Sequence, residues 1–210
     1  MPRMSREVAE QHRQQVIQST SRLIREKGAV GVTVPEAMAS AGLTHGGFYR
    51  HFTSKDDLLA QALTAAFAER RTAMDQITEE HSETDGPSAR TAFLTMYLSE
   101  LHRDHPADGC PAAAVAADAA RSEPNTPLRT AFTAGLRDLA AGLRQMDDPG
   151  HGSAEDAALA DLALLVGTLL LSRACDDEAL SRAFLKAAHN RLNEHPAPAG
   201  ESSVTPAPAV

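Results

Sequence analysis

The sequence predicts an all-α protein. Alanine and leucine are abundant along the chain, and both residues favour helices. Apolar residues recur at helical spacing over long segments, and runs rich in proline, glycine, serine and aspartate separate these segments. Hydrophobic residues make up 42% of the 210 residues, which is enough for a packed core, but aromatic residues make up only 4%. We therefore expect about nine helices around a mainly aliphatic core.

The first helix is expected from about Val8 to Lys27. Gly28 follows it, as glycine commonly does after the last helical residue. Four residues at helical spacing predict its buried side: Val16, Thr20, Leu23 and Ile24.

Residues 33–59 predict a helix-turn-helix followed by the start of a long helix. Thr33 is expected to cap the first helix, and Glu36 would complete a capping box three residues later. Gly42 supplies the turn, because glycine adopts a positive φ without strain. Thr44 is then expected to cap a second short helix that ends near His51. Ser54 would cap the long helix, with Lys55 in its exposed first turn.

The second short helix has the composition that DNA binding requires. Phe48 and Phe52 are expected to face inward, which leaves polar residues outside and the N-terminal end of the helix free to reach base edges in a major groove. Gly46 and Gly47 are poor helix formers that would let a sugar–phosphate strand come close. The alternative is a solvated helical hairpin without a nucleic-acid partner. The candidate DNA-binding residues are Thr33, Thr44, His45, Gly46, Gly47, Tyr49, Arg50, His51 and Lys55.

These candidates divide by expected role. Thr44 and His45, at the start of the short helix, are best placed for bases, whereas Tyr49, His51 and Lys55 would contact phosphates. The net charge of −8 does not contradict this, because residues 1–58 hold eight Lys/Arg against six Asp/Glu. The excess of acidic residues belongs to the rest of the chain.

The stretch from Gly28 to Leu58 resembles the DNA-binding domain of TetR-family transcriptional repressors. The motifs that carry the resemblance are KG at 27–28, TV at 33–34, AGLT at 41–44, GGFYRHF at 46–52 and SKDDL at 54–58. Pro35 departs from the family, which commonly has a polar residue there, and Ala37-Met38 replaces isoleucine–alanine. The resemblance implies a dimer that binds a palindromic double-stranded DNA operator and is released by a small-molecule effector.

The remaining chain predicts a helical regulatory and dimerisation domain. Its helices are expected at 54–80, 88–103, 111–122, 128–146, 155–173 and 177–193. We expect the domains at 1–53 and 54–194, followed by a disordered tail at 195–210 that is rich in proline and alanine. The helix at 155–173 is apolar on nearly all sides, so it must be buried. Packing of the last two helices on the same pair of a second copy would bury it; burial within one subunit is the alternative.

Two kinds of site are considered in this regulatory domain. A small-molecule pocket could be lined by Met74, Phe93, Tyr97, His102, Cys110, Phe132, Leu136 and Met146. Each of them could equally be ordinary core. Cys110 lies before a helix, where a thiol pKa is lowered, so a redox- or electrophile-sensing repressor is the alternative function. A helical thiol enzyme is a further alternative, although no Cys-x-x-Cys motif is present.

The sequence carries no signal for the other common classes. We assign no catalytic residue, metal site or cofactor, since no phosphate-binding glycine loop or nucleophile elbow is present. The N-terminal segment lacks the apolar run of a secretion signal, and no stretch of 18 apolar residues suggests a membrane span. We therefore expect a cytoplasmic protein with reduced thiols.

Overall fold

The computed structural model describes residues 6–82, 87–146 and 155–193, so the tail expected at 195–210 lies outside the described residues. The described residues fold into helices without strands, which confirms the all-α prediction. The α-helices are α1 (Arg6–Lys27), α2 (Val34–Ser40), α3 (Lys55–Glu80), α4 (Ala89–Tyr97), α5 (Glu100–Asp104), α6 (Pro111–Arg121), α7 (Pro127–Met146), α8 (Glu155–Ala174) and α9 (Glu178–Asn193). Two 3-10 helices occupy His45–Arg50 and Pro106–Asp108.

Helix α1 buries the predicted side. Val16, Thr20 and Ile24 are fully buried, and Leu23 is partly buried against the core. The helix ends at Gly28, whose φ of +75° only glycine adopts readily and whose N–H donates to the Ile24 carbonyl at 3.0 Å. The prediction for this helix is therefore confirmed.

The start of α2 carries the predicted capping box. Thr33 caps the helix, because its hydroxyl oxygen accepts a hydrogen bond from the Glu36 N–H at 3.4 Å. The Glu36 carboxylate binds the ammonium group of Lys27 at the end of α1. The bond to Lys27 and a hydrogen bond from the Thr33 backbone both lower the pKa of Glu36.

The segment after the turn corrects one prediction. Gly42 has a φ of +71° and ends α2 as expected. Thr44, however, makes no side-chain capping bond, and its backbone carbonyl accepts from the Gly47 N–H at 3.1 Å. This bond between residues three apart belongs to a 3-10 helix. Two consecutive glycines disfavour the α-helical alternative at this point.

Helix α3 connects the N-terminal helices to the remainder of the protein. Ser54 caps it as predicted, accepting from the Asp57 N–H at 3.0 Å. The helix contains 26 residues, which corresponds to about 39 Å. It packs along α1 and, most extensively, along α7. Gly135 makes the approach of α7 possible, because a Cβ atom at this position would lie 2.1 Å from the Phe67 ring.

The single helix predicted at 88–103 is wrong. The chain leaves the helix after Tyr97, and Ser99 caps a new one by accepting from the His102 N–H at 3.1 Å. The carbonyl of Tyr97 is taken up by the His102 imidazole at 2.6 Å, which offers the backbone a partner outside the helix. The break turns His102 into the protein interior.

Helix α8 is only partly covered within one chain. Leu162, Leu165 and Leu169 are buried, whereas Leu159, Leu164, Leu170 and Leu171 remain exposed. The helix is long and apolar enough to cross a membrane by length and composition alone, a test that core helices of other proteins also pass. At 100° per residue the exposed leucines lie about 90–150° away from the centre of the buried ones, so a second apolar face adjoins the buried face.

Candidate DNA-binding surface

The helix-turn-helix is held by two buried phenylalanines. The rings of Phe48 and Phe52 stack with centroids 5.6 Å apart, and both residues are at most 3% exposed. Met38, on α2, is buried in the same core. These contacts fix which side of the 3-10 helix faces outward.

The predicted DNA-binding residues lie in three short segments of the chain. Thr44 to His51 form or flank the 3-10 helix, Thr33 lies at the start of α2, and Lys55 opens α3. Thr33, Thr44, His45, Gly46, Tyr49 and Arg50 are exposed, and Gly47, His51 and Lys55 are partly buried. Tyr49 is 80% exposed although the edge of its ring contacts Phe48. Their division into base and phosphate contacts stays a prediction.

The glycine pair has no packing reason within the chain. A Cβ atom on Gly46 would meet nothing within 4 Å, and one on Gly47 would make an ordinary contact of 3.7 Å with Met38. Neither glycine has a positive φ. The described part of the fold would therefore accept larger residues, and the close approach of an external partner to this pair stays a prediction.

A second histidine lies beside the short helix. The ring of His12, from α1, is 6.4 Å from that of His51 in an edge-on arrangement. Partial burial, together with the positive charges of His12, Arg50 and Arg13, lowers the pKa of His51. His51 is therefore neutral at pH 7 in the free protein. From the sequence, His12 could touch a backbone phosphate or belong to a solvated face, and only the fold brings it next to this helix.

The predicted pocket residues divide into two groups. Phe93, Tyr97, His102 and Cys110 form one buried cluster, in which Phe93 and His102 each contact the Tyr97 ring, at 5.5 and 4.7 Å. The others lie along the α3–α7 contact: Met74, Phe132, Leu136 and Met146. Clefts of about 400 and 460 Å³ lie between α1 and α3 instead, and one of about 360 Å³ lies between α1 and the end of α2. None of the eight residues lines them. A pocket formed by these residues thus stays a prediction.

His102 is the centre of the buried cluster. Its Nε2 accepts a hydrogen bond from the Cys110 N–H at 3.1 Å, so Nδ1 carries the proton and donates to the Tyr97 carbonyl at 2.6 Å. Burial, with Arg70 and Arg173 nearby, lowers the pKa of His102 to about 4. The imidazole is therefore neutral at physiological pH.

Cys110 occupies the N-cap position of α6 as the sequence suggested. It is fully buried, and its side chain makes no capping bond to the helix. Burial and the neighbouring Cys110 thiol raise the pKa of Tyr97 well above its usual value, so its hydroxyl stays protonated. The other cysteine, Cys175, is partly exposed.

The sequence reasoning missed two arginines of this region. Arg173 donates to the carbonyls of His102 and Arg103 at 2.8 and 2.9 Å. Arg70 is 8% exposed and projects from α3. A signal for Arg70 was available, because it falls between Phe67 and Met74 at the spacing of the buried stripe.

Comparison with known proteins agrees with this geometry. A family model described as bacterial regulatory proteins, tetR family, matches residues 16–62. The HTH-type transcriptional regulator TtgR of Pseudomonas putida is 29% identical over 104 residues, which are 50% of this chain and 49% of that regulator. A probable HTH-type transcriptional regulator of the same species, ArpR, matches to the same extent. The chain spans about half the length of the curated relatives it matches.

Solved structures extend the likeness to nearly the whole fold. The reduced form of NemR from E. coli has a TM-score of 0.68 at 19% identity, over 87% of this chain and 95% of that one. A TetR-family transcriptional regulator from Cytophaga hutchinsonii also has a TM-score of 0.68, at 18% identity, over 91% and 96% of the two chains. At sequence identities this low, the likeness shows only that the folds are similar. With the sequence motifs and the family model over residues 16–62, they confirm the resemblance of this chain to the TetR family of transcriptional regulators.

Proposed function

We propose that the protein is a homodimeric repressor that binds a palindromic DNA operator and is released from it by a small-molecule effector. The observation that carries the DNA-binding part is the outward 3-10 helix, on which His45, Tyr49 and Arg50 are exposed above a buried aromatic pair. Exposed polar residues on a rigidly held short helix are what major-groove reading needs. Because operator DNA is cytoplasmic in bacteria, we place the protein there.

The exposed face of α8 supports the dimer. Gly167 lies near the centre of this face, and a Cβ atom there would meet nothing within 4 Å in a single chain. Leu171, which is 50% exposed, lies on the same face. A second copy that packed α8 and α9 against this pair would remove these apolar side chains from water and form a four-helix interface. Two copies of the short helix would then reach successive major grooves.

Selection of bound genomic fragments, followed by fluorescence anisotropy with the selected duplex, tests the proposal. Tyr49→Ala and Lys55→Ala should weaken binding to every sequence and reduce its dependence on salt, since both are assigned to phosphates. His45→Ala should change the preferred sequence instead. Arg144→Ala, at an exposed position on α7, is the control and should bind like the wild type. Unchanged operator affinity in all three test variants would refute the assignment.

An electrophile- or redox-sensing repressor is the second candidate. Two features favour it: Cys110 lies at a helix N-terminus, and one structural neighbour, NemR, is described in a reduced form. The complete burial of Cys110 counts against a fast reaction, because a reagent has to enter the core before it meets the thiol. Labelling of the protein with a mild electrophile at neutral pH tests whether the Cys110 thiol is reactive. Labelling of Cys110 no faster than that of Cys175 would end this candidate.

A thiol enzyme is the least supported alternative. The family and the structural neighbours are transcriptional regulators. The imidazole nearest Cys110 accepts its backbone N–H rather than its thiol, so His102 is not arranged as the base of a thiol nucleophile. Turnover of a peroxide by the purified protein would favour the enzyme, whereas salt-dependent, sequence-selective duplex binding favours the regulator.

A further inference from the structure

We propose that a cleft between α1 and α3 binds a small organic anion through its carboxylate or phosphate oxygens. The cleft, called here the arginine cleft, has a volume of about 400 Å³. Its lining residues are Gln18, Arg22, Arg25, Glu69, Arg70, Ala73 and Asp108. This volume is within the range of small-molecule sites. None of the pocket residues expected from the sequence belongs to it.

Arg70 is the residue that points to a ligand. It is 8% exposed, and within the described part of the chain it forms no ion pair with a carboxylate. One terminal nitrogen donates to the Asp108 carbonyl at 2.9 Å, and the other lies 3.9 Å from the sulfur of Met96. The buried Nε–H has no hydrogen-bond acceptor. A buried guanidinium with so few acceptors is costly, and an anion would relieve that cost.

The other two arginines of the cleft already have partners. Arg25 binds the Glu69 carboxylate at 2.7 Å, and Arg22 binds the carboxylate of Asp108. Three guanidinium groups therefore face two carboxylates, which leaves one positive charge unbalanced at Arg70. This excess disfavours a cationic ligand and favours an anion.

The chemistry of guanidinium narrows the class of ligand. Its planar fork matches the paired oxygens of a carboxylate or a phosphate, and such charge-assisted bonds are among the strongest hydrogen bonds in proteins. Ala73 and the methylene groups of the arginines add apolar lining, so an organic anion suits the cleft better than a bare inorganic ion.

The position of the cleft also gives its ligand a regulatory role, and this step rests on the proposed function. Arg22 and Arg25 belong to α1, which braces the helix-turn-helix, whereas Arg70 and Asp108 belong to the helices beyond it. A ligand that binds one relative position of these elements better than another shifts the equilibrium between them. Operator affinity and anion affinity must then change each other by the same factor.

Thermal unfolding of the full chain at constant ionic strength tests the site. Benzoate, citrate and phosphate are the probes, and chloride sets the reference. A probe at about one hundred times its Kd should raise the Tm of the wild type by roughly 5 °C or more. A response to benzoate and citrate alone identifies a carboxylate ligand, and a response to phosphate alone identifies a phosphate ligand.

Two variants separate the site from a general ion effect. Arg70→Met should abolish the shift, and Arg22→Met should weaken probe binding about tenfold. Arg22 is 57% exposed, so its replacement keeps the proposal testable even where Arg70→Met does not fold. Arg144→Met, outside the cleft, should respond like the wild type. The site is overturned if no probe exceeds chloride, or if both cleft variants respond like the wild type.

Operator binding is measured separately with and without the effective probe. A change of at least about threefold in operator Kd, absent in Arg22→Met, supports the regulatory role. Anion binding with unchanged operator affinity would confirm the site and overturn that role. Failure of the protein to bind any duplex would overturn the proposed function, while the unfolding experiment would still decide the site.

Discussion

Acidification should destabilise the protein through His102 before most carboxylates are protonated. Burial, with Arg70 and Arg173 as neighbours, lowers the pKa of His102 to about 4, whereas an unfolded histidine titrates near about 6.5. Between these values the unfolded chain binds a proton that the folded protein excludes. Stability is therefore complete above about pH 6.5 and is lost as the pH falls towards about 4.

The size of the loss follows from the difference in pKa. At about 1.4 kcal/mol for each pKa unit, the lowering corresponds to about 3 kcal/mol. The structural cause is specific, because protonated Nε2 can no longer accept the Cys110 N–H at the start of α6. A buried N–H donor would lose its acceptor at the moment when a positive charge enters the core.

Urea unfolding of wild type and His102→Gln from pH 7 to pH 4 measures this effect. Carboxylate titrations are common to both proteins, so the difference between them isolates the histidine. We expect the wild type to lose about 3 kcal/mol more than His102→Gln over this range. His45→Gln, at an exposed histidine, should run parallel to the wild type. Parallel curves for wild type and His102→Gln would refute the reasoning.

Three further changes test other parts of the fold. Gly135→Ala places a methyl group 2.1 Å from the Phe67 ring and should lower the free energy of unfolding by about 1–3 kcal/mol in urea melts. Leu171→Glu should give a folded monomer in sedimentation, whereas Leu101→Glu, at a 70% exposed leucine of α5, should remain dimeric. The Asp57 carboxylate accepts hydrogen bonds from the N–H and the hydroxyl of Thr53 at 2.9 Å. These bonds and a hydrogen bond from Gln61 lower the pKa of Asp57. Asp57→Ala should cost about 1 kcal/mol at pH 7, and the cost should fall once the pH drops below about 3.9, the pKa of an unfolded aspartate, towards the lowered pKa at which wild type loses the same carboxylate.

The sequence predicts those features of the fold that depend on neighbouring residues. Apolar periodicity marks α1, α3 and α7, and Gly28 and Gly42 end helices with the positive φ that their positions require. Ser54 is recognisable as a cap because its partner, the Asp57 N–H, is three residues away. Each of these helix ends and caps depends on contacts within about one helical turn, so a local sequence pattern is enough to predict it.

The clearest error arises where a side chain competes for a backbone partner. The His102 imidazole takes the Tyr97 carbonyl and, with the Ser99 cap, divides the helix predicted at 88–103. A short stretch of sequence shows which side chains could bind a backbone group but not which of them does so. The choice depends on how helices far apart in the chain pack together.

The candidate DNA-binding surface is more predictable than the regulatory sites for the same reason. His45, Tyr49 and Arg50 lie on one short helix whose inward side is marked by two phenylalanines. Arg70, in contrast, becomes a candidate binding residue only in the folded chain, where α1 and the segment around Asp108 lie next to it. The periodicity of α3 places Arg70 inside, but only the folded chain shows that no carboxylate of the described residues pairs with it.

The two proposed inputs meet at one end of α6. Asp108 in the arginine cleft is separated from Cys110, the N-cap of α6, by a single residue. At the other end of this helix, the carboxylate of Asp118 accepts the N–H of Val30 at 3.1 Å, in the loop that leads into the helix-turn-helix. Gly28 fits closely against the same carboxylate, since a Cβ atom there would lie 2.7 Å from its oxygen. A shift at the start of this 11-residue helix would therefore change the contact at Asp118. We propose that α6 connects a modified thiol or an anion at Arg70 to the loop before the helix-turn-helix, alongside α1, which carries Arg22 and Arg25 and contacts α2 directly.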